Sequence, residues 1–258
     1  MKKTYFVSDF HLGVDARLSS LEREKQICRW LDMVSLDAEA IYLVGDVFDY
    51  WFEYKTVIPK GFSRILGKLA ELRDKNIPIY FFTGNHDMWM FRYFEEELGI
   101  PIYRKPIVRD IHGKTFLIGH GDGLGPGDHG YKFIKKVFAH PVNQWLFARL
   151  HPNFALPLMR FFSGKSRDAQ DPAVENRFRG SEKEYLILYS NKKIDELAAD
   201  FFIFGHRHLP IDWVLKNGKS RYINLGEWLF GTTYAVFDGT DVSLHVFDNE
   251  HIKFIKNY

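Results

Sequence analysis

Five short apolar runs in this chain each break into a turn built from Gly, Asp, Asn and His. Thr4–Ser8 ends at Asp9-Phe-His11, and Ala40–Val44 ends at Gly45-Asp46-Val-Phe-Asp49. Pro78–Phe82 leads to Gly84-Asn85-His86-Asp87, Thr115–Ile118 to Gly119-His120-Gly-Asp122, and Phe201–Phe204 to Gly205-His206-Arg-His208. Runs this short and this apolar read as buried strands. Ligands collect at the carboxyl ends of strands in α/β sheets. Five polar turns at such ends converge only if they share one site.

Helical patterns alternate with these strands. Arg17–Val34 carries Leu18, Leu21, Ile27, Trp30, Leu31 and Val34 near helical spacing, and Phe62–Asp74 is similar. Ile211–Leu215, Arg221–Asn224, Tyr234–Phe237 and Ser243–Phe247 make the C-terminal part strand-rich. Residues 127–193 break the rhythm. Their pattern predicts helices over His129–Ala139, Asn143–Phe162 and Ser181–Lys193, with a loop over Gly164–Pro172. This stretch reads as a helical insertion, leaving 1–126 and 194–258 as one core.

Composition narrows the function classes. The chain of 258 residues is long enough for one large core or two small ones. Its net charge of +2 gives no support to nucleic-acid binding. No apolar run reaches the ~18 residues of a membrane span, and the N-terminal run, cut at Asp9, is too short for a signal peptide. Cys28 is the single cysteine, which excludes internal disulfides and thiolate clusters and suits a reducing cytoplasm.

Imidazoles and carboxylates together suit transition ions such as Mn, Zn or Fe. Asp9, His11, Asp46, Asn85, His120, His206 and His208 are too many ligands for one tetrahedral ion. Two ions sharing a carboxylate use them all and suit phosphoryl hydrolysis. The competing reading is seven satisfied turn residues. It requires five coincidences in order. Asp87 and Asp122 read as structural acids of their own turns, and His112, His140, His245 and His251 as ordinary histidines.

The ordered set of five motifs resembles the calcineurin-like metallophosphoesterase family. That resemblance implies an α+β fold, a four-layer α/β/β/α sandwich with the site at one edge. It implies that Asp9, His11 and His208 hold one ion, that Asn85, His120 and His206 hold the other, and that Asp46 bridges. It makes His86 a candidate acid or hydrogen-bond donor oriented by Asp49, for which the alternative is a plain turn cap. Gly119-His-Gly-Asp-Gly-Leu-Gly-Pro-Gly-Asp128, the insertion after it and Leu225-Gly-Glu-Trp228 resemble the branch that splits the pyrophosphate of UDP-2,3-diacylglucosamine in lipid A synthesis. From that branch follow two divalent ions, Mn2+ first and Zn2+ or Fe as alternatives. A helical cap over the acyl chains follows too, with substrate contacts at Asn85, His86, Asp128, Lys183 and His206.

The insertion mixes Val137, Phe138, Trp145, Leu146, Phe147, Phe154, Phe161 and Phe162 with Lys132, Lys136, Arg149 and Arg160. This composition is either plain helical core or a face toward lipid and the cytoplasmic side of an inner membrane. Tyr50-Trp51-Phe52 either walls the site or is core. Three functions compete: a hydrolase of a nucleotide-linked lipid, a metallophosphodiesterase of another nucleotide or soluble phosphoester, and a non-catalytic scaffold. A scaffold is expected to have lost ligands, and none of the seven is missing.

Overall fold

Strand residues sort by parity into separate apolar layers. In β1 (Lys3–Val7), Tyr5 and Val7 face one way and Phe6 the other; in β2 (Ala38–Val44), Ile41 and Leu43 oppose Ala40, Tyr42 and Val44. Both faces of each strand are therefore covered. The computed structural model describes residues 2–127, 129–168, 177–248 and 254–256, with backbone alone for 165–168. The first sheet is ordered β11 (Val242–Val246), β10 (Thr233–Phe237), β1, β2, β3 (Ile79–Phe82), β4 (Ile102–Tyr103). The second is ordered β12 (Ile255–Lys256), β8 (Pro210–Val214), β9 (Arg221–Leu225), β7 (Phe201–Phe204), β6 (Lys114–Ile118), β5 (Ile107–Ile111).

Phe6, Tyr42, Phe82, Phe116, Ile203 and Phe237 fill the space between the sheets. Outside the first sheet lie α1 (Ser20–Val34), α2 (Ser63–Asp74) and α3 (Tyr93–Leu98), which contribute Trp30, Leu31, Ile65, Leu69 and Phe94. Outside the second, α7 (Tyr185–Lys193) packs Leu186 and Ile187 against Phe202, Phe204 and Tyr222. The molecule is the α/β/β/α sandwich that the motifs imply. β1, β2 and β3 run parallel, as do β6, β7 and β9. Their carboxyl ends carry all five polar turns.

Several elements depart from the sequence pattern. α1 starts at Ser20 because the Ser19 side chain caps it, accepting from Glu22 N. Leu21, expected on its apolar face, is exposed, while Arg23 and Glu24 are buried. The helix expected over Asn143–Phe162 is two helices, α5 (Pro141–Phe147) and α6 (Pro152–Asp168), separated before Pro152. α6 runs on into the expected loop as far as Asp168, since Gly164 costs a helix only about 1 kcal/mol relative to Ala. α4 (His129–Ala139) has its expected limits. α7, grouped with the insertion by its pattern, belongs to the outer layer of the sandwich.

α4 and α5 rest on an aromatic platform. Phe147 packs on Phe52 and Trp89, at centroid distances of 4.9 and 4.7 Å, and Trp89 Nε1 donates to Phe138 O at 2.8 Å. Tyr54 Oη donates to Leu150 O. Phe52 thus supports the insertion, whereas Trp51 is core, against Phe48 and Phe94.

Candidate metal centre

The turns after β1, β2 and β7 put ligands in conformations that L residues avoid. Asp9, His11, Asp46, His206 and His208 all have φ between 45° and 64°. Each such residue costs about 1–3 kcal/mol and persists only where its surroundings over-determine it. Here the turns are stitched together. Asp9 N donates to Gly45 O, His11 N to Asp46 O, Gly205 N to His120 O and Trp228 N to Asp9 O, all at 2.9–3.0 Å. The buried Arg23 guanidinium donates to the carbonyls of Phe10, His11, Val14 and Leu18 at 2.5–3.2 Å, clamping the loop that carries His11. The motif glycines are required by close approach. A Cβ on Gly84 would stand 2.1 Å from Asp46 Oδ1, and one on Gly45 2.4 Å from His120 Nδ1.

The donors form two groups linked through a third. Asp9, His11 and His208 each bring an atom within 4.8 Å of the others, and so do Asp46, His120 and His206. Asp46 also falls in such a group with His11 and His86. His208 Nε2 is 3.2 Å from Asp9 Oδ1, His120 Nε2 is 3.2 Å from Asp46 Oδ2, and His11 Nε2 is 3.1 Å from His208 Nε2.

Half of each ligand group is satisfied and the other half is not. Asp9 Oδ2 accepts from His206 N at 3.0 Å and Asp46 Oδ1 from His86 N at 2.9 Å. His120 Nδ1–H donates to Val44 O at 2.8 Å, which leaves Nε2 as the nitrogen that a metal would take on loss of its proton. Asp9 Oδ1, Asp46 Oδ2, Asn85 Oδ1 and His120 Nε2 are buried with no hydrogen-bond partner among the described residues. Each unmet buried group costs about 1–3 kcal/mol, and more when charged. These orphaned oxygen and nitrogen atoms fit divalent cations of the borderline class.

Charges in the centre lean on one another. Burial pushes His11 down, but Asp49 and Asp9 outweigh it and raise its pKa to about 10. Burial also opposes charge on His120, yet Asp46 lifts it to about 10. Burial and the neighbouring His120 hold His206 down at about 4, so it stays neutral. Burial disfavours charge on Asp9 and Asp46, but the imidazoles keep both well below the usual carboxylate range.

His86 and Asp49 meet differently from the expected direct pair. The carboxylate of Asp49 is nearer to His11 Nδ1, at 3.4 Å, than to His86 Nδ1, at 3.8 Å. His86 Nδ1 instead lies 3.2 Å from Asp49 O and 2.8 Å from Ser163 Oγ on α6. Ser163 Oγ donates to Asp49 Oδ2 at 2.8 Å. No sequence motif marked Ser163; its neighbours Phe161 and Phe162 are exposed, and a lone Ser beside them carries no signal.

Asp87 is the structural acid expected. It accepts from Gly84, Val47 and Phe48 N–H groups, while burial and the charge of Asp46 push its carboxyl up to about 7. Asp122 differs: Tyr131 and Lys135 of α4 reach it, so it ties the insertion to the His120 turn. Arg207, between two ligands, is buried in a two-bond pair with Glu184 at 2.9 and 3.2 Å. Lys183 is exposed in the turn before α7, and no side-chain hydrogen bond joins it to the centre among the described residues. Asp128 and His251 lie outside the described residues.

A family model described as calcineurin-like phosphoesterase matches residues 2–210. A UDP-2,3-diacylglucosamine hydrolase of Porphyromonas gingivalis is 38% identical over 94% of this chain and 96% of its own. Proteins of the same name from Aeromonas salmonicida and a Shewanella species are 29% and 28% identical. These cover 87% and 95% of this chain, and 85% and 99% of their own. A family model spanning most of the chain, and a relative this similar over nearly its whole length, agree with the paired donor groups at the strand ends: the chain belongs to the calcineurin-like phosphoesterase family.

Proposed function

We propose that this chain hydrolyses the pyrophosphate of UDP-2,3-diacylglucosamine, giving UMP and 2,3-diacylglucosamine 1-phosphate in lipid A synthesis. One observation carries the reading: a buried set of oxygen and nitrogen donors adjoins helices whose apolar side chains face outward. Phe133, Trp145, Leu146, Phe154, Phe161 and Phe162 are all exposed. Exposed apolar surface of this extent marks a binding face. The names of the relatives supply the substrate.

Asp9, His11 and His208 would hold one divalent ion and Asn85, His120 and His206 the other, with Asp46 between them. Mn2+ is the assigned metal, ahead of Zn2+ or Fe. Two such ions supply Lewis acidity and a water acidified toward neutral pH. Asp9 and Asp46 neutralise only half of the positive charge two divalent ions bring, so the centre attracts an anionic pyrophosphate. Asn85, His86 and His206 border the phosphates, and His86 Nε2 serves the departing oxygen. Asp49 orients His86 and His11. Asp128 and Lys183 remain substrate contacts by resemblance alone.

In this reading α4, α5 and α6 form the cap, and the rest, α7 included, is the hydrolase core. α4, α5 and α6 shelter acyl chains, and the exposed Lys136, Arg149 and Arg160 meet the anionic cytoplasmic face of the inner membrane. No helix among the described residues is long and apolar enough to cross a membrane. The test is UMP release from UDP-2,3-diacylglucosamine in detergent with Mn2+. Release abolished by EDTA supports the reading. Cleavage of a simple phosphodiester without UMP release would keep the hydrolase and discard the substrate.

A further inference from the structure

Ser163 is nearly buried although it follows two exposed phenylalanines on α6. Its hydroxyl has one proton, and Asp49 Oδ2, at 2.8 Å, takes it. In the 2.8 Å contact with His86 Nδ1, Ser163 must therefore accept and the imidazole donate. The second neighbour of that nitrogen, the Asp49 carbonyl at 3.2 Å, can only accept. Both contacts demand the same tautomer. They hold a proton on Nδ1 in the neutral ring, so the proton that His86 exchanges is the one on Nε2.

We propose that Ser163 is a positioning residue: from the insertion, it fixes the ring orientation and tautomer of His86 by bridging it to Asp49. This rests on the hydrolase reading for its catalytic consequence, though not for its geometry. Two of the three groups in the bridge, Asp49 and His86, belong to turns of the sandwich, and the third belongs to α6. Seating of α6 and readiness of the centre are thus one event. The apolar helices then do more than shelter a lipid, because they complete the site for any phosphoester.

The test has a spectroscopic and a kinetic arm. Long-range 1H–15N spectra of the Zn2+-loaded protein report the His86 tautomer directly. The wild type should show Nδ1–H, and Ser163→Ala should lose that preference. With Mn2+ and bis(p-nitrophenyl) phosphate, Ser163→Ala should lower kcat about tenfold, a fraction of what a positioned general acid–base group supplies. KM and metal content should stay at wild-type values. Ser163→Thr, which keeps the hydroxyl, should restore both the spectrum and most of kcat. If the alanine variant melts early, the size-matched Ser163→Cys replaces it, with the same expectation. An unchanged His86 spectrum would overturn the proposal, as would a loss confined to KM for the lipid. Absence of UMP release by the wild type would sink the substrate reading alone, with the spectrum still deciding the role of Ser163.

Discussion

Each oxygen of Asp46 has its own task. Oδ1 accepts the His86 N–H, and Oδ2, beside His120 Nε2, has no hydrogen-bond partner among the described residues. Asp46→Asn therefore places an amide hydrogen against either an N–H or a cation. Mn2+ affinity should fall by more than the roughly 10–100-fold that outer-shell losses cost, and activity with it. Unchanged binding in a metal titration would remove Asp46 from its bridging place. The paired imidazoles give a pH prediction for the metal-free chain. His11 and His120 have pKa values raised from 6.5 to about 10. A group raised on folding stabilises fully below its unfolded value and loses that contribution as pH rises through the folded one. The melting temperature in EDTA should thus decline between about pH 7 and 10, and metal should suppress the decline. A flat profile in EDTA would mean that the two imidazoles are not held protonated. All seven ligands were legible because each follows an apolar run directly. Arg23 and Ser163 were not, since only tertiary packing decides which polar side chain of a helix turns inward.

Turns and short elements carry the strain of the centre. The Glu184–Arg207 pair is buried and joins the start of α7 to the turn between His206 and His208. Glu184→Ala should destabilise by about 3–5 kcal/mol, because it strips a buried guanidinium of its two-bond carboxylate partner. Chemical denaturation with and without Arg207→Met in the same chain checks this, since the double variant should recover part of the loss. Gly84→Ala drives a Cβ into Asp46 Oδ1 and should weaken metal binding although every ligand residue is kept. An alanine variant that binds Mn2+ normally would show that the turn can yield. The five buried strands were readable from their apolar content. α3, β4 and β12 were missed because six residues or two hold too little periodicity, and β5 because its Ile107–Ile111 faces are only partly buried. Glu24 illustrates the same limit: it sits on α1 yet accepts from Arg64 N and Ile65 N, capping α2 across the sequence.

The whole molecule is a closed sandwich with an open helical shelf. The sandwich buries most of its aromatic residues in three layers, while α4, α5 and α6 leave most of theirs exposed. Pairing Phe133→Asp with Trp145→Asp should lower partition onto anionic vesicles about tenfold or more, since burying each ring is worth about 1.5–3 kcal/mol. Turnover of bis(p-nitrophenyl) phosphate should stay near wild type, and vesicle sedimentation with the intact variant reads the difference. Equal partition would make the shelf a surface for something other than a lipid. The architecture was legible as a whole because five motifs in order admit few folds. What α4, α5 and α6 cover was not, since an apolar helix looks the same whether it meets protein or lipid. The most direct test of the two-ion centre is a calorimetric titration of the metal-free chain with Mn2+ in buffers of different ionisation enthalpy. Two sites per chain with proton release at neutral pH are expected, both weakened in Asp46→Asn; a single site, or binding without proton release, would contradict the shared centre.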